Sequence, residues 1–548
     1  MNGFKPTGAW NEGDWIAAIA VLVLALFLTA GAKIAIQKEP EFVGHPKGLY
    51  MLFFAEMWER FSYYGMRALL IFYLTKHWLF DDGKANLIYG AYTSLVYITP
   101  LLGGYLADRW LGQRKAVLFG AVLLTFGHFM MAFEGAGGQD DPTINAFWLA
   151  LALIIVGSGF LKANISVMVG QLYPLTDVRR DGAYTIFYMG INVGAAIGTI
   201  LAGYLGQTYG WAYGFGAAGI GMLLGLIVFI VGRPALRGAG EAPAPLSKST
   251  EWTLYATGVA GVAVIWALIQ YQDVIQTLLI ISGLGLLGYV LYEAFKLDKE
   301  PRERIFAILF LIALNPIFWG LFEQAGGSMN LFTDRFVDRS GVPASIFQSI
   351  NPIYIILLAP IFAALWVGLG KRGLEPSAPA KFGIALLQMG FANLVLVWGA
   401  AAVGIDVMVP VLFVFLYYLF ATTVFGEAGQ VFLVTAAITA TCSTLNSSLA
   451  AIPRMLLGMA RSGQAFGIFK RQGKRSGAPW VAVLFVALVT GLPLFTTDRC
   501  NRGRGWVLGY GLGGTTDGDG NVGGIRYGMG GTTTGIERDI DDEIRGHL

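Results

Sequence analysis

Between Glu56 and Arg67 the sequence sets Glu56, Glu59, Arg60, Tyr63, Tyr64 and Arg67 inside a segment otherwise long and apolar enough to cross a membrane. Glu56 and Arg60 stand four apart, as do Glu59 and Tyr63, and Arg60 and Arg67 stand seven apart. On a helix those intervals put acid, base and phenol on one stripe. An ionisable side chain at bilayer depth costs at least about 2.5–3.5 kcal/mol, so the stripe is expected to face a watery cavity and not lipid. Lys162 is a further cation in an apolar run. The bland alternative for it is a lysine snorkelling to the interface, against which its mid-span position argues.

The elements that must hold these residues are membrane spans. Of 548 residues 55% are hydrophobic and 13% charged, where a soluble domain carries about 25% charged; the mean hydropathy is +0.60. Apolar runs predict spans near 15–36, 49–74, 86–107, 115–133, 146–170, 184–207 and 212–232. Two additional helices are expected near 252–270 and 275–296, then spans near 303–325, 345–370, 379–403, 405–425, 429–452 and 479–496. This divides the chain into an extra first span and linker (1–44), a six-helix bundle (45–232), a linker with two helices (233–300), an incomplete second bundle (301–425), a further fragment (426–497) and a glycine-rich tail (498–548) expected to be disordered. Basic residues recur in every second loop: Arg109, Arg114 and Lys115; Arg179 and Arg180; Arg233, Arg237 and Lys248; Lys371, Arg372 and Lys381. Those loops are therefore placed on the cytoplasmic side, and the amino terminus of the first span outside. An uncleaved signal-like segment is the alternative for that span.

A formal net charge of +3 does not suggest nucleic-acid binding, and Cys442 and Cys500 have neither metal-ligand spacing nor a histidine partner. No grouping of nucleophile, base and orienting residue, and no phosphate-binding glycine loop in its strand and helix context, supports an enzyme.

Further motifs surround the stripe. Gly104 to Lys115, with Asp108, Arg109 and Arg114, resembles the loop between the second and third helices of the major facilitator superfamily, where an aspartate and basic residues latch one conformation. Gly182 to Gly194 sets Asn192 among small residues suited to close helix packing. With His45 to Leu49, Glu56 to Arg67, Gly159 to Asn164, Tyr188 to Gly194, Phe318 to Gln324 and Gln348 to Pro352, residues from about 45 to 406 resemble the proton-dependent oligopeptide transporter, or peptide transporter, family of that superfamily.

The resemblance implies an all-α membrane protein of the major facilitator fold with an atypical carboxy-terminal portion. It further implies proton symport of di- and tripeptides by a multi-pass protein of the bacterial inner membrane. Glu56, Glu59 and Arg60 match the proton-coupling motif, in which a neighbouring cation favours the ionised carboxylate and desolvation the protonated one. Arg60, Arg67 and Lys162 would receive the peptide carboxylate. Glu323 is expected to pair with Arg67 across the mouth of the cavity and release it on protonation. Tyr63, Tyr64 and Tyr92 match cavity tyrosines, and Asn192 and Asn351 polar groups that contact the substrate backbone. The partners implied are small peptides and the lipid bilayer, with no nucleic acid and a monomeric state. No cofactor is implied; H⁺ is the coupling ion.

After about residue 410 the pattern changes. Phe425 to Phe432 offers Glu427 only as a superficial match to the glutamate of the tenth helix, and about 427–497 resembles a fragment of an amino acid permease of the amino acid, polyamine and organocation family. The chain thus reads as chimeric. Two other functions stand beside peptide symport. An amino acid permease is opposed by the lack of that family's broken first and sixth helices; the third reading is a non-transporting fusion membrane protein, either a substrate-sensing remnant or an inert product, and binding without uptake would separate it from peptide symport.

Overall fold

The computed structural model describes residues 10–36, 39–174, 176–376, 378–403 and 407–422 and the short segments 514–516, 525–530 and 533–538. Helices dominate. They are α1 (Glu12–Ile36), α2 (Lys47–Phe72), α3 (Asp82–Leu106), α4 (Gln113–Met130), α5 (Ile144–Gln171), α6 (Arg179–Tyr209) and α7 (Trp211–Gly232). After them come α8 (Lys248–Ile269), α9 (Gln272–Ala294), α10 (Lys299–Phe322), the short α11 (Ser328–Phe336), α12 (Ile350–Lys371), α13 (Ala378–Val403) and α14 (Leu412–Thr422). Eight helical stretches among the described residues are long and apolar enough to cross a membrane. The 26-residue α2 is not among them because of its charges, yet at 1.5 Å per residue it is about 39 Å long, more than the hydrocarbon core requires.

Local chemistry sets the helix ends. Asp81 caps α3 by accepting from the Lys84 amide at 3.0 Å, and Ser247 caps α8 by accepting from the Thr250 amide at 3.1 Å. Two-residue strands β1 (Glu41–Phe42) and β2 (His45–Pro46) form a small antiparallel hairpin before α2. Strands β3 (Val337–Asp338) and β4 (Val409–Pro410) pair in parallel in the second half.

Two buried clusters make the core. One is centred on the first bundle, with Leu70, Phe72, Trp78, Val96, Leu124, Ile154 and Phe215, and extends to Ile265 of α8 and Ile355 of the second half. The other joins Met57, Trp58, Phe61 and Ile197 of α2 and α6 to Trp319, Ile346, Phe347 and Tyr417 of the second half. Helices α2 and α6 meet backbone to backbone: a Cβ on Gly194 would lie 2.1 Å from the Met57 carbonyl oxygen, and one on Gly198 would lie 2.2 Å from that of Phe61. Only glycine permits that approach.

The extra first span is a helix lying against α2 and α6. Phe27 stacks on Phe53 with ring centroids 6.4 Å apart. At its start Asp14, buried, accepts from the Tyr204 hydroxyl of α6 and from the Asn11 amide at 2.8 Å. Gly13 rests against Val342 and Pro343 of the second half.

The tail read as disordered contains an antiparallel sheet of β5 (Gly514–Thr516), β6 (Ile525–Gly530) and β7 (Thr533–Arg538). Threonine, isoleucine and tyrosine favour extended backbone, and the ladder pairs backbone groups without needing an apolar period. The expected spans near 429–452 and 479–496, Glu427, both cysteines and the permease-like stretch from 427 to 497 lie outside the described residues.

Candidate functional site

The α2 stripe is buried. Glu56, Glu59, Arg60, Tyr63 and Arg67 are each no more than 5% exposed. Arg60 Nε donates to Glu56 Oε1 at 2.7 Å, one turn back, and lies 2.9 Å from Glu59 Oε2, so one guanidinium serves two carboxylates. The Arg60 guanidinium also lies 5.7 Å from the Tyr63 ring centre. On the other side Lys162 of α5, half-buried, reaches Tyr63 at 5.1 Å and Tyr97 of α3 at 3.9 Å, a contact with the negative face of the ring that accommodates its ammonium. Tyr63 stacks on Tyr92 at 6.4 Å and meets Tyr64 edge-on at 5.1 Å. Tyr92 is fully buried and its hydroxyl has no hydrogen-bond partner among the described residues.

Two turns further along α2, Arg67 crosses to the second half. Its Nη2 donates to Glu323, which follows α10 in a short helical turn from Glu323 to Gly326. Its Nε donates to the Tyr89 hydroxyl at 2.5 Å, and its guanidinium lies 5.7 Å from the Tyr64 ring centre. Around this pair the halves are tied at one end. Asn330 and Gln348 both donate to the Ala68 carbonyl, at 3.1 and 3.4 Å. Gln207 accepts from the Ser345 amide and hydroxyl at 2.9 and 2.7 Å. Lys76 pairs with Asp334 at 2.6 Å, and Arg335 with Asp82 through its two terminal guanidinium nitrogens at 2.6 and 2.8 Å. These contacts close the end of the molecule opposite the basic loops.

Other expected residues are placed differently. Asn192 is buried and its side-chain amide donates to the Tyr188 carbonyl of its own helix at 3.1 Å. Asn351 donates to the Thr422 hydroxyl of α14 at 2.8 Å. The amide nitrogens of both thus have acceptors within the protein. In the expected latch, Asp108 accepts from Gln113 at 2.8 Å and Arg109 stacks over Trp110 at 5.1 Å. Arg114 is tied to the segment after α7, through the Ala239 carbonyl at 2.5 Å and Glu241 at 3.1 Å.

Sequence reasoning passed over Tyr89 and Tyr97, although Tyr89, Thr93 and Tyr97 recur every four residues, the interval that exposed the α2 stripe. It also passed over Tyr417 and Tyr418 of α14, buried in the electrostatic neighbourhood of Glu323 and Arg67 respectively.

A helical bundle in two halves, with a buried charged stripe and one end drawn shut by ion pairs, defines a multi-pass membrane transporter of the major facilitator type. A profile of the POT family matches residues 114–467. An uncharacterised transporter of Bacillus subtilis (strain 168) is 40% identical over 407 residues, covering 70% of this chain and 80% of that protein. A protein of Yersinia enterocolitica named as a peptide transporter is 38% identical over 384 residues, covering 64% of this chain and 73% of the relative. The crystal structure of a mutant of peptide transporter POT in complex with alafosfalin superposes with a TM-score of 0.63 at 32% identity, covering 84% of this chain and 90% of that one. The chain belongs to the POT family. The family match runs past residue 406 to 467, so the break read from the sequence is not where the family likeness ends, and it crosses the first part of the stretch likened to a permease.

Proposed function

We propose that this protein carries di- and tripeptides across the bacterial inner membrane together with protons, working as a monomer without a cofactor. The observation that carries the reading is the single Arg60 guanidinium shared by Glu56 and Glu59 beside the Lys162 ammonium. Three carboxylates (Glu56, Glu59, Glu323) and three cations (Arg60 and Arg67, buried, and Lys162, half-buried) balance in this set. A peptide carboxylate entering beside Lys162, with the peptide's ammonium lying beyond this set, would leave the set with one uncompensated negative charge, which a poorly solvated site resists. A proton taken up on Glu59 or Glu56 restores the balance, so substrate and proton favour each other's entry.

The peptide carboxylate is received by Lys162 and Arg60 against the faces of Tyr63 and Tyr97. Tyr92, with its unused hydroxyl, supplies a hydrogen bond to the substrate, and Tyr64 lines the same side. Arg67 and Glu323 hold the outer mouth closed, and protonation of Glu323 frees it. The peptide-transporting name of the Yersinia relative supports the substrate class.

The test is uptake of labelled dialanine into liposomes holding the purified protein, with and without an inward proton gradient, alongside Glu59→Gln. Gradient-driven uptake that disappears in the variant is expected. Equal uptake with and without the gradient, or a variant as active as the parent, overturns the reading.

A further inference from the structure

Behind the Arg67–Glu323 pair lies a contact that the pair alone does not require. The turn carrying Glu323 ends in Gly326 and Gly327. A Cβ on Gly326 would lie 1.8 Å from the Tyr89 hydroxyl oxygen and 2.6 Å from the ring carbon that bears it. A Cβ on Gly327 would lie 2.5 Å from Asn86 Oδ1. Asn86 and Tyr89 are three apart on α3, so they face the same way, and both enter a seat that exists only because two consecutive residues of the opposite half lack side chains. The same Tyr89 oxygen accepts from Arg67 Nε at 2.5 Å.

Tyr89 therefore touches the gate from both sides. Its hydroxyl fixes one nitrogen of the Arg67 fork while another reaches Glu323, and its position depends on the two glycines just beyond that glutamate. A planar guanidinium has its donors in fixed relation, so anchoring Nε aims Nη2. We propose that Tyr89 is a positioning residue of the outer mouth, and that the Gly326–Gly327 seat admits it only when the halves have closed, so that Arg67 is aimed at Glu323 by the act of closure. This rests on the reading of that pair as the outer closure.

The test measures closure itself, by pulsed electron spin resonance between labels on cysteines replacing the exposed Asp140 and Ser340, in full-length protein whose Cys442 and Cys500 are serine. Gly326→Ala is expected to lower the ratio of short to long distances about tenfold, the order expected when a methyl is forced into a filled seat. Tyr89→Phe keeps the ring and removes the hydroxyl, and is expected to shift the ratio the same way. Gly320→Ala adds a methyl near the end of α10 where no described residue lies within 4 Å, and is expected to leave the ratio unchanged. A purely structural role for the Tyr89 ring predicts no shift in Tyr89→Phe, and that result would overturn the proposal. So would an equal effect of Gly320→Ala and Gly326→Ala. Should Gly326→Ala yield no folded protein, Tyr89→Phe decides alone. Failure of the transport reading is separately visible as an unsubstituted protein that takes up no dialanine while its two distance populations persist.

Discussion

Replacing Glu323 by glutamine removes one charge from the closed mouth and nothing else of its shape. Both members of the Arg67–Glu323 pair are 6% exposed. Breaking a buried pair by removing one partner costs about 3–5 kcal/mol. Glutamine keeps an acceptor oxygen, and Arg67 retains the Tyr89 hydroxyl and the Tyr64 face, which sets the loss near the lower limit, about 3 kcal/mol or a hundredfold in the closed-to-open ratio. The other ion pairs cannot make up that sum. Lys76–Asp334 and Arg335–Asp82 each include a side chain more than 40% exposed, and exposed pairs contribute about 0–1 kcal/mol each. Because one pH unit is worth about 1.4 kcal/mol, the central pair is matched to a proton drive of about two units. On the proposed mechanism glutamine imitates the protonated glutamate through which the loaded carrier passes. Gradient-driven accumulation of dialanine should therefore fall at least about tenfold in Glu323→Gln, while counterflow between preloaded and external dialanine stays within about threefold of the parent. Asp82→Asn, at an exposed pair, should change neither by more than about threefold. A glutamine variant that still accumulates dialanine in proportion to the gradient would refute the argument.

Lys162→Gln should weaken dialanine binding about 10- to 100-fold, the range for losing a charged hydrogen bond, but affect carboxy-amidated dialanine less than about threefold; calorimetric titration of both ligands distinguishes carboxylate recognition from general damage. Gly198→Ala should give little monodisperse protein by fluorescence size exclusion, because its Cβ would meet the Phe61 carbonyl at 2.2 Å and a helix backbone cannot step aside. In the loop before α5, Asp141 accepts from the Thr143, Ala136 and Gly137 amides at 2.9, 2.6 and 3.0 Å. Bonds from the Thr143 backbone and side chain, ahead of those from Ala136 and Gly137, lower its pKa from 3.8 to about 2. A depressed carboxyl pKa gives stability that is complete above the unfolded value and lost as pH falls through the folded one. The melting temperature should accordingly drop between about pH 4 and pH 2, and Asp141→Asn should flatten that slope; a variant with the parent's full acid slope would count against the assignment.

The α2 stripe is legible in the sequence because charge is conspicuous in an apolar run and its spacing is that of one helix. Glu323 is a different case. Its partner lies 256 residues away, and no local period links them, so only the family likeness points to the pair. Lys76, Asp82, Asp334 and Arg335 look like ordinary loop charges, since what distinguishes them is the meeting of two halves. Asn192 and Asn351 are another case. An asparagine can satisfy its amide on a helix carbonyl or a neighbouring hydroxyl as readily as on a ligand, and its type alone does not tell which. Arg114 reaches Glu241 across 127 positions, beyond any reading of its own loop. The strands of the tail escaped notice because their pairing is carried by backbone groups, which composition does not record.

The glycine contact between α2 and α6 bears on how this transporter can be controlled. With Gly194 against Met57 and Gly198 against Phe61, the two helices behave as one machined part, and the carboxylate stripe has no slack relative to Tyr204 or to the first span pinned there. Any alternation of access must then fall on the seam between the halves. A nanobody or crosslink that grips either block by itself will ride along with the cycle, whereas one that stitches Asp140 of the first half to Ser340 of the second will arrest it.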